Sequence, residues 1–260
     1  MYRYALTIEY DGSPFHGWQV QNNITTVQGV IFEAIRKLDV NCENFVGAGR
    51  TDAGVHAIGQ VAHVDLAIKR DCETIQNAIN YYLNKYPISI LNAKIVSNDF
   101  HARFSAVKRH YTYKIFSRKT DLTFERSQYW HIRNSLNIPN MELAANYLLG
   151  KHDFSAFRSS RCNSKNPIRE IKSIEIKQHK KMVFITITAN AFLQNMVRII
   201  VGTLIDIAKN EISISLKEIM ISKDRKFAGK TMTPSGLFYL GPKYPKTPKI
   251  NTPKQIQYII

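Results

Sequence analysis

The chain has 260 residues, of which 44% are hydrophobic and 22% are charged. This length and this ordinary apolar content predict a globular protein with one large domain or two modest ones. The formal net charge is +16, which predicts a polyanionic partner and favours nucleic acid over other ligands.

The three cysteines, Cys42, Cys72 and Cys162, are odd in number and far apart. This pattern excludes a disulfide framework and a zinc-ribbon spacing, and it is typical of a reducing cytoplasm. The first ten residues lack the features of a signal peptide, and no apolar run reaches the length needed to span a membrane. We therefore expect a cytoplasmic protein with no membrane partner.

The first predicted element is a strand, because apolar residues alternate with polar ones from Tyr4 to Tyr10 and define one buried face. A turn follows at residues 11–12. Thr25 and Gln28 have the spacing of a capping box, and apolar residues then recur at helical spacing through Leu38. The sequence thus predicts a helix packed on the first strand.

A glycine-rich loop is predicted next, between a short strand at residues 44–46 and a longer one at 60–66. The loop contains Arg50 and Asp52, which are two positions apart and point the same way on an extended chain. A neighbouring guanidinium favours the ionised form of a carboxylate, and an ionised aspartate can act as a nucleophile. An ordinary turn, in which the aspartate accepts backbone N–H bonds, is the competing interpretation.

The first half ends with a predicted helix around residues 75–83 and a strand at 88–96. Its elements therefore run strand, helix, two strands, helix, strand. This order predicts an α+β unit with an antiparallel sheet that carries its helices on one face. The opposite face is expected to be open to a ligand.

The second half begins with a predicted strand at residues 108–116, with Tyr111, Tyr113 and Ile115 on one face. Basic residues interleaved with tyrosines suit RNA, because the cations hold phosphate while an exposed ring stacks on an unpaired base. A tyrosine-rich strand that faces the core explains the same pattern.

The later elements are a helix at residues 140–150, a hairpin from strands at 171–177 and 182–189, a long apolar helix opened by residues 190–202 and continuing through Ala208, a short helix at 216–222 and a closing strand at 236–240. The Pro- and Lys-rich remainder is predicted to lie over the surface. Because the second half loosely repeats the first, we divide the chain into halves at residues 1–105 and 106–260.

Two basic features stand out in the second half. Arg198 is a lone cation inside the apolar helix, and an unpaired buried charge costs several kcal/mol, so an anionic partner is expected. Asp206, two turns on, is one candidate. A basic run is also expected to hold phosphate, and it consists of Arg158, Arg161, Lys165 and Arg169.

Several of these segments together resemble one protein family. Residues 49–56 read Gly-Arg-Thr-Asp-Ala-Gly-Val-His, residues 10–12 Tyr-Asp-Gly, residues 17–19 Gly-Trp-Gln, and residues 100–105 Phe-His-Ala-Arg-Phe-Ser. With the Tyr-x-Tyr strand and the motif around Arg198, they resemble the bacterial tRNA pseudouridine synthase A family over nearly the whole chain.

The resemblance implies a role for each candidate residue. Asp52 would be the catalytic residue, and Tyr111 would stack on the target uracil. Arg198 would pair with Asp52 across the two halves, so that either Arg50 or Arg198 would keep the carboxylate ionised, and Arg103 would contact RNA.

The resemblance also implies the fold and the activity. The fold would be α+β, with two similar α/β sandwich-like halves of mainly antiparallel strands joined side by side, helices on one face and an RNA cleft between the halves. The activity would convert uridine to pseudouridine at positions 38, 39 and 40 of the anticodon stem-loop of tRNA. It would need a homodimer, no metal and no small-molecule cofactor.

Two other functions explain part of the same pattern. A non-catalytic RNA-binding protein accounts for the charge and the tyrosines but leaves the Arg-Thr-Asp loop without a role. A metal-dependent hydrolase would use Asp52, His56, His63 and Asp65, whose alternation on a strand lets them converge. Within the pseudouridine synthase interpretation, the sequence leaves open whether Asp52 attacks the base, attacks the sugar or removes a sugar proton.

Overall fold

The computed structural model describes residues 1–245, which form ten β-strands and five α-helices. The strands are β1 Tyr2–Tyr10, β2 Glu43–Gly47, β3 His56–Leu66, β4 Ile88–Ile95, β5 Lys108–Ser117, β6 Trp130–Ile132, β7 Gly150–Asp153, β8 Ile168–His179, β9 Met182–Ala189 and β10 Leu237–Lys243. The helices are α1 Val27–Leu38, α2 Cys72–Leu83, α3 Ile138–Ala145, α4 Met196–Ala208 and α5 Leu216–Ser222. The predicted surface tail from residue 246 lies outside the described residues.

The described chain divides into two compact units, one of residues 1–108 with 239–245 and one of residues 109–238. In the first unit the strand order is β4-β1-β3-β10, and β2 also pairs with β3. In the second unit the order is β5-β9-β8-β7, with β6 parallel to β5. The other pairs whose register is defined are antiparallel, so the predicted α+β class with mainly antiparallel sheets is confirmed.

The first unit buries both faces of its central strand. Tyr4, Leu6 and Ile8 form the predicted buried face of β1, yet Ala5 on the opposite face is also only 2% exposed. Ala5 packs in an apolar cluster with Val61 of β3 and with residues that follow β4, namely Val96, Phe100 and Ala102. The prediction of an open face is therefore wrong at this cluster, because the chain after β4 folds back and covers it.

Local capping explains where the first two helices begin. Thr26, not Thr25, is the N-cap of α1, and its hydroxyl accepts from Gly29 N at 3.3 Å. Gln28 takes no part in a capping box, because its Nε2 donates to Phe45 O at 3.0 Å. Asp71 caps α2 by accepting from Thr74 N at 3.0 Å. Both caps satisfy backbone N–H groups that the first helical turn leaves unpaired.

The second unit confirms the predicted hairpin and the tyrosine-bearing strand. β8 and β9 meet at a tight turn in which Lys180 has φ 54°, and β9 pairs along its length with β5. Tyr111, Tyr113 and Ile115 are all buried, which agrees with the interpretation that this face of the strand packs on the core. The predicted helix at 140–150 is shorter, because α3 passes into a 3₁₀ turn and Gly150, with φ +95°, begins β7.

The long apolar helix begins later than predicted, at Met196 rather than in the stretch that starts at Asn190. The Asn190 carboxamide oxygen accepts from Glu170 N at 3.0 Å and Ala191 N at 2.7 Å, which fixes this segment in a turn against β8. Asn195 then enters the helix with φ +61°. Such side-chain bonds compete with helix formation. None of the helices within residues 1–245 combines the length and apolar character needed to cross a bilayer.

Candidate active site

The loop that carries Asp52 connects β2 to β3. Its first residue, Ala48, continues the ladder by donating its N–H to Val61 O at 2.7 Å. A turn follows, in which Val55 N donates to Asp52 O at 3.1 Å. Asp52 is half-buried and Arg50 is exposed, so the loop presents both residues at the edge of a rigid two-strand support. An ion pair between them stays a prediction.

A second segment, residues 12–18, holds this loop from the other side. Trp18 N donates to Thr51 O at 3.1 Å, and Gly54 N donates to Phe15 O at 3.2 Å. These bonds fix the backbone on both sides of Asp52. The sequence alone does not reveal this role of the Gly-Trp-Gln motif at residues 17–19, because hydrogen bonds between distant segments leave no local pattern.

A buried hydrogen bond anchors the loop to β1. The Tyr10 hydroxyl lies 2.8 Å from Thr51 Oγ1, next to Asp52 in the chain. Burial raises the pKa of Tyr10 well above its usual value, so the phenol stays protonated at any physiological pH. Gln60 also contributes by donating its Nε2 to Gly49 O at 2.7 Å. The carboxylate is thus presented by a backbone that is held at several points.

Gly17 is the closest point of approach between the two segments. Its φ is +87°, and a Cβ built there would lie 2.7 Å from Thr51 O and 3.1 Å from the carbonyl carbon of Asp52. Real Cβ atoms do not approach backbone atoms that closely, so only glycine fits without moving the Asp52 loop.

We expect Gly17→Ala to reduce turnover at least about tenfold, because an ångström of displacement at a reacting group can cost one to two orders of magnitude. Gly150→Ala is the matched control. Gly150 also has a positive φ, of +95°, but its nearest neighbour would be His152 Nε2 at 3.6 Å. Both variants should lose about 1–2 kcal/mol of stability from backbone strain, and Gly17→Ala should lose more because its Cβ also contacts the Asp52 loop. Equal activity in the two variants would show that Gly17 does not set the position of the loop.

Arg103 lies in the segment that follows β4. Ala102 N donates to His63 Nδ1 at 3.1 Å, and Tyr244 OH donates to Ala102 O at 2.7 Å. Burial lowers the pKa of His63 to about 4, so its ring is neutral at pH 7 and free to accept that bond. Ala102 and Ala48 belong to the same apolar cluster. The exposed Arg103 therefore follows a residue packed together with the first residue of the Asp52 loop.

Tyr111 lies on β5 in the second unit. Its ring meets that of Phe192 edge to face, with centroids 5.1 Å apart, and 9% of the residue is exposed. Tyr113, two residues on, is more deeply buried and donates its hydroxyl to Thr233 O at 2.8 Å. Burial raises the pKa of Tyr113 to about 12. Tyr113 is thus held in the core, whereas Tyr111 keeps a small accessible surface.

Arg198 is half-buried on the first turn of α4. Its Nε donates to Met232 O at 2.6 Å, and its NH1 donates to Asn195 Oδ1 at 3.2 Å. Asp206, one predicted partner, lies two helical turns or roughly 12 Å further along the axis. There its carboxylate lies against Gly229 and the backbone of Lys230. This arrangement does not support Asp206 as the partner of Arg198, and the pairing with Asp52 stays a prediction.

The basic run from Arg158 to Arg169 contains two kinds of residue. Arg158 donates to Ser164 O at 3.2 Å, and Arg169 donates to Asn166 O at 2.9 Å and to Ser164 Oγ at 3.0 Å. These two arginines shape their own loop. Arg161 and Lys165 are exposed, so the expectation of a phosphate-holding surface now depends on them.

No group of three or more metal-ligating side chains converges within residues 1–245. His63 accepts from Ala102, and His56 Nδ1 lies 3.2 Å from Gly12 N and 3.1 Å from Asp11 Oδ1. Asp65 forms an ion pair with Arg3, at 2.7 Å from its Nε. These three residues therefore make structural contacts. The metal ligands that the hydrolase interpretation requires do not come together in the described residues.

Comparison with known proteins assigns the chain to a family. A family model described as tRNA pseudouridine synthase matches residues 6–105 and 144–245. A protein named tRNA pseudouridine synthase A from Ehrlichia chaffeensis is 46% identical over 244 residues, which is 93% of this chain and 100% of that protein. The protein of the same name from Ehrlichia canis is 45% identical, over 93% of this chain and 100% of its own length. The one from Maricaulis maris is 41% identical, over 94% of this chain and 99% of its own length.

These matches extend over both halves of the chain and include the Asp52 loop, the residue 100–105 segment and the α4 motif. The chain belongs to the tRNA pseudouridine synthase family.

Proposed function

We propose that this protein converts uridine to pseudouridine in tRNA, at positions 38, 39 and 40 of the anticodon stem-loop. The observation that carries the proposal is the presentation of Asp52, a half-buried carboxylate on a loop held by β1 and by residues 12–18, in a chain of this family. The net charge of +16 suits a polyanionic substrate.

The reaction rearranges one nucleotide without a change in oxidation state. The N1–C1′ bond breaks, the uracil turns in place, and C5 bonds to C1′; C5 then loses its proton while N1 gains one. No electron acceptor, metal or cofactor is required for this balance. Asp52 can attack the base, attack the sugar or remove a sugar proton, and each route requires it to be ionised. Carboxylates also assist other glycosidic cleavages.

The other site residues would prepare Asp52 and the nucleotide. A cation beside the carboxylate, from Arg50 or Arg198, lowers its pKa and keeps it ionised. The target base must leave the RNA stack to reach a side chain, and Tyr111 would stack on the flipped uracil. Arg103 would contact the RNA backbone. Recognition of shape rather than base sequence is expected, because one site would serve three neighbouring positions.

The working form is proposed to be a cytoplasmic homodimer, in which one subunit holds tRNA while the other acts on it. This expectation comes from the resemblance to the family and is independent of the Asp52 chemistry. Sedimentation of the purified chain with and without tRNA tests it.

The direct test is to incubate the purified chain with an unmodified tRNA transcript, with no cofactor added, and to map pseudouridine. We expect product at positions 38, 39 and 40 and no effect of a chelator. Tight tRNA binding without product would favour the non-catalytic RNA-binding alternative instead. Inhibition by a chelator would return the metal-dependent hydrolase to consideration.

Substitution of Tyr111 tests its proposed stacking role. We expect Tyr111→Phe to keep turnover within about threefold of wild type, because the ring is retained. Tyr111→Ala should lower turnover by one to two orders of magnitude, since stacking on a base is worth about 1–3 kcal/mol. Single-turnover rates at saturating enzyme separate this effect from weaker binding. Equal losses in both variants would assign the role to the hydroxyl and not to the ring.

A further inference from the structure

Phe104 is a large apolar side chain that the fold leaves in solvent. It is 76% exposed, although it follows the well-buried residues Phe100 and Ala102 by only a few positions. Exposed apolar residues are common on protein surfaces, so exposure alone assigns no role. This ring, unlike that of a free surface side chain, is held in place.

His101 supports the ring from below. Its Nδ1 accepts from both Arg103 N and Phe104 N, each at 3.2 Å. The rings of His101 and Phe104 pack in a tilted arrangement, with centroids 4.4 Å apart and an interplanar angle of 33°. Because the Phe104 backbone is fixed and its ring packs on His101, less side-chain entropy remains to be lost when a flat ligand covers the exposed part of the ring.

The support continues into the sheet. The His101 ring packs on His63 with centroids 4.8 Å apart, and His63 accepts the Ala102 N–H. On the other side Arg3 donates to Phe100 O at 3.0 Å. Through the cluster that contains Ala48 and Ala102, the segment that carries Phe104 is joined to the start of the Asp52 loop. The ring is therefore presented by the same rigid part of the first unit as Asp52.

The chemistry beside the ring suits a nucleotide. The Arg103 guanidinium carbon lies over the Phe104 ring, 5.5 Å from its centroid, so the cation and the exposed ring belong to one surface. That pair matches an unstacked base and its phosphate, since aromatic rings stack on any base and arginine binds the backbone. The net charge of +16 also favours a polyanion over a protein surface as the ligand.

We propose that Phe104 is a stacking platform for an unpaired base of the RNA substrate, with Arg103 on the adjoining phosphate. This inference rests on the proposed function and extends it. It adds a contact with RNA away from the target uridine. Such a contact explains why a large apolar ring is exposed to solvent in the free protein. Only the base class is specified, because a ring face does not distinguish one base from another.

The test compares Phe104→Ala and Arg103→Gln with Phe124→Ala. Phe124, in the second unit, is 83% exposed and serves as the matched control. We expect Phe104→Ala to weaken binding of unmodified tRNA about tenfold without changing the salt slope of the affinity, because stacking releases no counterions. Arg103→Gln should lower that slope by about 0.7–0.9. Phe124→Ala should bind as wild type does.

A fluorescent variant reports stacking directly. Phe104→Trp should retain affinity, and its tryptophan emission should be quenched when tRNA is added, after subtraction of the signal from the two native tryptophans. Failure of wild type to form pseudouridine would overturn the proposed function itself. If wild type forms pseudouridine but Phe104→Ala binds tRNA normally, only the platform is overturned. A change in sedimentation with unchanged tRNA affinity would also overturn it and assign Phe104 to a contact between copies.

Discussion

Asp52→Asn is expected to abolish pseudouridine formation while leaving tRNA affinity within about twofold of wild type. The amide has nearly the same size as the carboxylate but lacks its charge, so it can neither attack a carbon nor remove a proton. Loss of a reacting side chain typically lowers turnover by a factor on the order of 10⁴ or more. The loop should keep its structure, because the bonds from Trp18 and Gly54 involve backbone atoms.

Asp71→Asn is the matched control for this change. Asp71 caps α2 by accepting from Thr74 N, and asparagine is an equally good N-cap, so stability and turnover should both stay near wild type. Single-turnover assays on unmodified tRNA, together with filter binding, separate chemistry from affinity. Substantial product from Asp52→Asn would refute the roles of nucleophile and of base alike.

Local patterns in the sequence predicted most of the elements. The limits of α5, Leu216–Ser222, agree with the prediction, because its Ser215 and Glu218 form a complete capping box next to the apolar residues. β1 and the hairpin of β8 and β9 follow from alternation of apolar residues. The Asp52 loop was predicted from its glycines and from its place between two strands. Each of these features depends on neighbours a few residues apart.

Features that depend on distant contacts were not predictable in this way. The cover that Phe100 and Ala102 place over β1 and β3 comes from a chain reversal after β4, and alternation within one strand does not report it. The start of α4 is set by the bonds of Asn190 to β8. Likewise, residues 12–18 hold the Asp52 loop through hydrogen bonds between backbone groups, which carry no sequence signal of their own.

The ion pair of Arg3 and Asp65 illustrates how such distant contacts stabilise the site. The two residues face each other across β1 and β3, with Arg3 NH2 and Asp65 Oδ2 also 2.7 Å apart. Asn44 Nδ2 donates to the same carboxylate oxygen at 2.8 Å. The hydrogen bond from Arg3 holds the pKa of Asp65 below its usual value. Arg3 thus joins the sheet to the segment that carries Phe100 and Arg103.

Arg3→Met is expected to lower the free energy of unfolding by about 3 kcal/mol at pH 7, since it leaves a carboxylate that is 7% exposed without its cation. Such a loss is a large part of the 5–15 kcal/mol that typically stabilises a domain. Arg36→Met is the control, because Arg36 and Glu33 are 50% and 68% exposed and such pairs contribute about 0–1 kcal/mol. Urea unfolding of each variant measures the difference.

The stability that Arg3 and Asp65 contribute depends on pH. In the wild type the depressed pKa of Asp65 contributes stability above the unfolded value near 3.9, and this contribution is lost as the pH falls through the folded value. In Arg3→Met, burial without the cation raises the pKa of Asp65, so the variant gains stability as the pH falls from 8 towards 5. The stability deficit of the variant relative to wild type therefore shrinks.

The double variant Arg3→Met with Asp65→Leu should recover most of the stability lost at pH 7, because it removes the unpaired buried charge. A deficit that is constant with pH and is not relieved in the double variant would show that Arg3 acts through its bonds to the chain after β4, and not through Asp65.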